Sequence, residues 1–310
     1  MAKLQEPPWR PMREVEIVAG TPPGGGLDRT ARALVKAIES EQLLDVPLKV
    51  VNIPGDGARK AWGYVERHAG NPHVLSISSP NLTTDHLVGI AAFDHSAFTP
   101  LAILYNEYIA FIARADSAIA NCGDLLRRLG TDPASVTVAL STARGNPNHI
   151  ALAKVVRHAG GDIRAPGLRV FDSALDALAD VVKRNADIAA ITAASAVKEL
   201  AAGTVRALAV SAPTRLPGLY SAVPTWREQS VDCTIGAWRG VSGARGLTTM
   251  HIAYWEGVFA AAIAGAEWKA ELARHYWSGM YCDGVRLREH LRREDAEMAS
   301  VLGELGLLGG

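Results

Sequence analysis

The chain has 310 residues, 48% of them hydrophobic and 21% charged, which is the composition of a soluble globular protein large enough for two lobes and unlike that of a disordered chain. Lysine plus arginine equals aspartate plus glutamate at 32 each, so no net field recruits a polyanion, and nucleic acid and anionic membranes are poor candidates as partners. The longest apolar stretches, such as residues 258–266, fall short of the ~20 residues that a membrane-spanning helix needs.

The opening segment, residues 1–11, is polar and proline-rich and lacks the apolar centre of a signal peptide. The protein is therefore either cytosolic or the product of leader removal with Met1 added. Residues 15–19 form a short β-branched run that stops at Gly20 and the turn Thr21-Pro22-Pro23-Gly24-Gly25-Gly26. Leu27, Ala31, Leu34, Val35 and Ile38 then repeat at helical spacing. A second strand over 48–53 closes at Pro54-Gly55-Asp56-Gly57, and a helix around 61–69 and a strand over 74–78 follow. The alternation predicts a mainly parallel sheet with right-handed crossovers.

The rhythm resumes with strands at 109–113, 136–140, 168–171, 188–191 and 205–210 and helices near 121–129, 149–159, 173–183 and 195–202. After residue 210 come Pro213, Pro217, Gly218 and Pro224, a strand-like stretch over 234–241, and helices from about 248 to 302 that are expected to pack on the first lobe. Two crossings, near 101–105 and between 213 and 235, divide the chain into one lobe of residues 1–104 and 226–310 and another of 105–225. Cys122, Cys233 and Cys282 lack the spacing of a zinc site or a disulfide framework and leave room for one bridge at most.

Ligands of open α/β sheets sit beyond the carboxyl ends of the strands, which points to the loops there. The first turn places glycines directly before a helix, where backbone N–H groups and the helix dipole suit a carboxylate or phosphate. It lacks the Gly-Lys-Ser/Thr ending of a nucleotide loop and the spacing of a dinucleotide fingerprint, and a plain chain reversal explains it equally well. Asp28 reads first as a cap of that helix and second as a screen against a fully ionised phosphate. Ser78 and Asn81 belong to a small polar run that either orients a ligand or simply turns the chain.

In the second lobe, Ser141-Thr142-Ala143-Arg144-Gly145-Asn146-Pro147-Asn148-His149 repeats the strand, polar turn and helix logic. Two facing helix N-termini could grip one anion. Arg144 is either a fork for a carboxylate or a solvated surface side chain, and His149 either donates to a ligand or caps and packs. Asp172, Ser173 and Ser195 put small polar groups at later helix starts, where N-capping is the competing role. Trp238 and Arg239 present an aromatic wall and a cation to the cleft, or else Trp238 is core. No nucleophile elbow, metal motif, carboxylate pair or reactive-cysteine signature occurs, so neither catalysis nor a cofactor or metal is expected.

The stretches VEIVAGTPPGGGLDRTARALVKAI and VVNIPGDG, with STARGNPNHIALAKVV, VFDSALDALADVV and GTVRALAVSAPTRLPGLYSAVPTWRE, resemble the tripartite tricarboxylate transporter receptors, the Bug-type periplasmic solute-binding proteins. The resemblance covers nearly the whole chain. It implies a two-lobed α/β periplasmic-binding-protein fold (type II, Venus flytrap) that closes on a small carboxylate in an interlobe cleft, a di- or tricarboxylate or an aromatic acid. It further implies a monomer in the periplasm that delivers its ligand to the permease subunits of a tripartite transporter. Carried over residue by residue, the grip falls on Pro23, Gly24, Gly25 and Leu27 on one side and Ser141, Thr142, Asn148 and His149 on the other. Ser78, Asn81, Asp172, Ser173 and Ser195 are weaker transfers. The sequence departs from the pattern at Pro54-Gly55-Asp56-Gly57-Ala58-Arg59, in the GNPHVLSISSP region and at the bulkier Arg144, where a second carboxylate could sit. Two other readings compete: an enzyme using His149 or Asp28 as an acid–base group in the same cleft, and a ligand sensor for a membrane signalling partner.

Overall fold

Strand β1 (Val15–Ala19) is apolar and inaccessible along almost its whole length, as expected of a strand covered on both faces. The computed structural model describes residues 9–309, so the reading of the opening segment lies in part outside the described residues. Helix α1 (Gly26–Ser40) follows and buries the stripe Leu27, Ala31, Leu34 and Ile38 against the sheet. Then come β2 (Leu48–Asn52), α2 (Arg59–Glu66), β3 (Val74–Ser78), α3 (Asn81–Leu87) and β4 (Thr99–Asn106).

The second unit holds β5 (Ile109–Arg114), α4 (Cys122–Thr131), β6 (Thr137–Ser141), α5 (Pro147–His158), β7 (Gly167–Phe171), α6 (Ala174–Val182), β8 (Ile188–Thr192), α7 (Val197–Ala201) and β9 (Val205–Val210). The chain ends with β10 (Arg239–Gly243), α8 (Thr249–Ala264), α9 (Ala266–His275), β11 (Ser278–Asp283) and α10 (Gly284–Leu305). Two sheets result, in the orders β11-β4-β10-β3-β1-β2 and β7-β6-β8-β5-β9.

Both sheets are mixed, which corrects the expectation of mainly parallel ones. The βα crossovers give parallel pairs β1–β2, β1–β3, β6–β7 and β6–β8. Strands on or next to the crossing segments pair antiparallel instead: β10 with β3 and β4, β11 with β4, and β5 with β8 and β9. Residues 101–105, expected to be a connection, lie inside β4 and are buried on both faces.

The crossing falls after β4, at Glu107 and Tyr108. The return falls later than the expected boundary at 226, because Trp226, Val231, Cys233 and Ala237 pack with the second sheet's core. The strand-like stretch over 234–241 contracts to β10, with Gly236 making only an isolated bridge to Tyr108. The two connections run side by side: the Ala237 N–H donates to the Glu107 carbonyl at 2.7 Å. A Cβ on Gly236 would lie 1.9 Å from Asn106 Oδ1, so any larger residue there would have to push the Asn106 side chain aside.

The C-terminal region is not purely helical. Strand β11 breaks it and adds an edge to the first sheet, and α10 packs Leu287 and Leu291 with Ile103 of β4. A further apolar seam, Ile150 and Ala153 of α5 against Met298, Leu302 and Leu305 of α10, joins helices of the two units. The three cysteines are buried free thiols, so no bridge forms between them. Among the described residues, no helix is long and apolar enough to cross a membrane.

The return segment is also fastened to α10 by Trp238, whose Nε1 donates to Glu294 Oε2 at 2.5 Å. Burial pushes the Glu294 carboxyl up to about 8, with Asp295 and Glu297 adding to the rise and the Trp238 hydrogen bond opposing it. A carboxyl whose folded value lies above its unfolded one stabilises the fold at low pH and loses that contribution as pH rises through the window between them. Glu294→Gln keeps an acceptor for the indole and removes the titration. Because the side chain keeps partial solvent contact, the variant should gain only about 1–2 kcal/mol over the parent between pH 5 and 8. Parallel melting curves of the two proteins across that range would refute the assignment.

Candidate functional site

A cavity of about 60 Å³ lies where the ends of β1, β3, β6 and β8 approach the two connections. Its walls come from both sheets: Thr21, Gly25, Gly26, Leu27 and Arg29 from the first turn and α1, and Ser141, Thr142, Asn146 and Asn148 from the turn into α5. Asp172 and Ser173 before α6, Ser195 after β8, and Arg239 at the start of β10 complete it.

The first turn is shaped by Asp28, which is 1% exposed. Its carboxylate accepts from the Gly24 N–H at 2.8 Å, from Asn52 Nδ2 at 2.9 Å and from Arg32 Nε at 3.0 Å. Burial alone would raise this carboxyl, but the hydrogen bonds from Arg32, Gly24 and Asn52 outweigh it and hold the group below the ordinary range. Gly24 adopts φ of 83°, and a Cβ on Gly25 would lie 2.5 Å from Thr21 Cβ, so the loop closes tightly only with glycine there. The Gly24 N–H is thus spent on Asp28. The N–H groups of Gly26 and Leu27 stand at the open end of the helix, next to the cavity.

The second-lobe turn is organised by Asn146, which is 2% exposed. Its Oδ1 caps α5 by accepting from the His149 N–H at 3.1 Å. Its Nδ2 donates to the Ser141 carbonyl at 2.6 Å and to Thr142 Oγ1 at 2.8 Å. Thr142 carries φ of 68°, a strained value for a β-branched residue, and is held there between Asn146 and Asn81. Asn148 Nδ2 donates to Ser141 Oγ at 2.8 Å, and Ser173 caps α6 by accepting from the Asp176 N–H at 3.1 Å.

Two hydrogen bonds bridge the units across the cavity. Asn81 Nδ2 donates to Thr142 Oγ1 at 2.6 Å, and Arg29 Nη2 donates to Ser195 Oγ at 3.1 Å. The starts of α1, α5 and α6 therefore all meet one small space, together with two guanidinium groups. That arrangement concentrates donors and positive potential, which suits a compact anion. Among the described residues, no group of three or more His, Cys, Asp or Glu side chains is placed to hold a metal ion.

Of the residues expected from sequence, Gly25, Leu27, Asn81, Ser141, Thr142, Asn148, Asp172, Ser173 and Ser195 line the cavity. Six do not. Pro23 and Gly24 lie on the exposed outer side of the turn, and Asp28 turns inward beneath it. Ser78 is buried in the sheet, donating to Ser242 Oγ at 2.7 Å, and the cavity wall takes Ser79 instead. Arg144 is exposed. His149 has its Nδ1 accepting from the Gly145 N–H at 2.9 Å, and burial, with Arg144 adding to it, pulls its imidazole down to about 4.

The cleft's cations are thus Arg29 and Arg239 rather than Arg144. Arg29 and Asn146 escaped the sequence reading. The signal for Asn146 was present, since asparagine before a proline at a helix start is a strong N-cap pattern. Nothing local separates Arg29 from an ordinary surface arginine.

No protein-family model matches the chain, and no curated protein matches it by sequence. Solved structures do. A TctC solute-binding protein from Polaromonas is 23% identical, with 95% of this chain and 99% of that one covered and a TM-score of 0.69. The periplasmic binding protein BugD is 18% identical over 96% of this chain and 99% of its own, with a TM-score of 0.84. MatC from Rhodopseudomonas palustris, solved with bound malate, is 21% identical over 94% and 100%, with a TM-score of 0.82. The chain therefore has the two-lobed α/β fold of periplasmic solute-binding proteins such as BugD and TctC.

Proposed function

We propose that the protein is an extracytoplasmic receptor that captures a small carboxylate in the interlobe cavity and delivers it to the membrane subunits of a tripartite tricarboxylate-type transporter. The observation that carries this reading is the convergence of three helix starts and two arginines, drawn from both sheets, on one space sized for a small anion. Binding there requires the two units to meet, which is how a two-lobed receptor couples capture to a change of shape. The malate held by MatC is a ligand of the same chemical class within the same fold. The family resemblance in the motifs adds the transporter as partner and the periplasm as location.

Catalysis gains no support from the cleft. The two candidate acid–base groups, Asp28 and His149, both serve their own loops through hydrogen bonds, and neither lines the cavity. A ligand that binds only the folded protein raises its stability by mass action, about 2.7 kcal/mol at a hundredfold excess over Kd. Thermal melting against mono-, di- and tricarboxylates and aromatic acids should therefore show an upward shift with at least one of them. A panel that leaves the midpoint unmoved throughout would rule the receptor reading out.

A further inference from the structure

A second and larger cavity, of about 490 Å³, lies between α5 and α10 against the two connections. Alternate residues of those connections serve the two spaces. Ala237 and Arg239, whose Nη2 pairs with Glu107 Oε2 at 3.4 Å, line the first, and Asn106, Gly236 and Trp238 line the second. The two cavities share no lining residue, although both are built from the two units together.

The second cavity has an apolar wall and an uneven set of charges. Ile150 of α5, Ile235 of the return segment and Met298 and Val301 of α10 supply the apolar surface, with the buried indole of Trp238 beside them. On α5, Arg157 is committed to an ion pair with Glu304 of α10, which leaves Lys154 as the cation. On α10, Glu294 and Glu297 stand one turn apart on the wall, while Asp295 is drawn off to Thr83 at 3.0 Å and His95 at 3.6 Å. Burial holds the His290 imidazole below its ordinary range, so it adds no charge at neutral pH, and its Nε2 is buried with no hydrogen-bond partner. Two carboxyls therefore stand against one ammonium.

Of the Glu294 carboxyl, Oε2 accepts from Trp238 Nε1 at 2.5 Å, which leaves Oε1 for a ligand. A carboxyl set among apolar side chains without a counter-charge is costly, and a cation on an apolar body would relieve that cost and cover the surface around it. The volume falls in the range of small-molecule sites. We propose that this cavity binds an organic ammonium, an amine carried on an alkyl or aryl body, with Glu294 taking the charged nitrogen and Met298, Val301 and the Trp238 indole flanking the body. The inference stands apart from the receptor reading, because the first cavity takes no part in it.

The test is calorimetric titration with hexylamine, phenethylamine and tryptamine, each beside the alcohol that keeps its body and removes its charge: hexanol, phenylethanol and tryptophol. At about pH 8, the amine of the body bound best should bind at least about tenfold tighter than its alcohol, as the charge-assisted contact is lost in the latter. Glu294→Gln, expected above to fold more stably than the parent, should bring the two within about threefold of each other by loosening the amine alone. In the parent, the amine should also tighten at least about tenfold from pH 6 to pH 8, because below about 8 it must displace the Glu294 proton. The same series in Glu294→Gln should be flat, a difference that lost packing would not produce. Equal binding of amine and alcohol by the parent, no binding of any amine at millimolar concentration, or the full preference kept in Glu294→Gln would overturn the inference and leave the receptor reading where it stands.

Discussion

Asn146→Ala is expected to cost both the fold and the ligand. The side chain makes three hydrogen bonds from a buried position: it caps α5 and ties the strained Thr142 and the Ser141 carbonyl into one turn. Loss of the cap contributes about 0.5–2 kcal/mol. The Ser141 carbonyl loses its Asn146 donor but keeps the Ala143 N–H at 3.0 Å, which adds about 0.5–1.5 kcal/mol. The sum is about 1–3.5 kcal/mol of stability. With Thr142 released, the Asn81 bridge between the units loses its fixed partner, and carboxylate affinity should fall at least about tenfold. Asn146→Ser separates the two effects, since serine restores the cap but not the amide donors. Chemical denaturation and titration of the three proteins provide the check, and an alanine variant as stable and as tight as the parent would dismiss the turn as a passive loop.

The second large effect concerns acid. His149 must be neutral at Nδ1 to accept the Gly145 N–H, and burial and the nearby Arg144 hold its imidazole at about 4 against 6.5 for an ordinary histidine. A histidine whose folded value is depressed stabilises the fold above its unfolded value, and that contribution is lost as pH falls from about 6.5 to about 4. Its size is on the order of 3 kcal/mol. Denaturant midpoints should therefore fall steeply over this window in the parent. His149→Asn, which offers Oδ1 in place of Nδ1, should start lower at neutral pH and show a flatter acid limb. An unchanged slope would assign the acid sensitivity to other groups.

How far the sequence could be read follows from which forces were local. Strands β1, β3 and β9 have the boundaries predicted from sequence, because each is a short, mostly apolar and buried run set off by turn residues. The first turn and the Ser141–His149 segment were legible because glycine, asparagine and proline carry backbone preferences in their own chemistry. Strand β4 was not: with Pro100 near its start and no flanking turn signals, it reads as a connection, and only pairing with β10 and β11 makes it a strand. Strand β11, with Gly279 inside it and helices on both sides, is likewise a product of tertiary pairing.

The site divides in the same way. The groups that shape each loop sit within a few residues of one another and could be found by spacing. Arg29 and Glu107 owe their roles to the other unit and to the neighbouring connection, which no local pattern encodes. Arg144 shows the converse: a cation in the expected loop that is exposed to solvent.

The seam between α5 and α10 bears on the thermodynamics of capture. Ile150 and Ala153 meet Met298, Leu302 and Leu305 across the division between the units, so a rotation that separates these helices wets apolar surface far from any ligand. Hydration of apolar surface raises heat capacity. A receptor that opens at this seam would therefore bind with a heat-capacity change more negative than burial of a few-carbon acid can supply, and the excess would count the residues that close behind it.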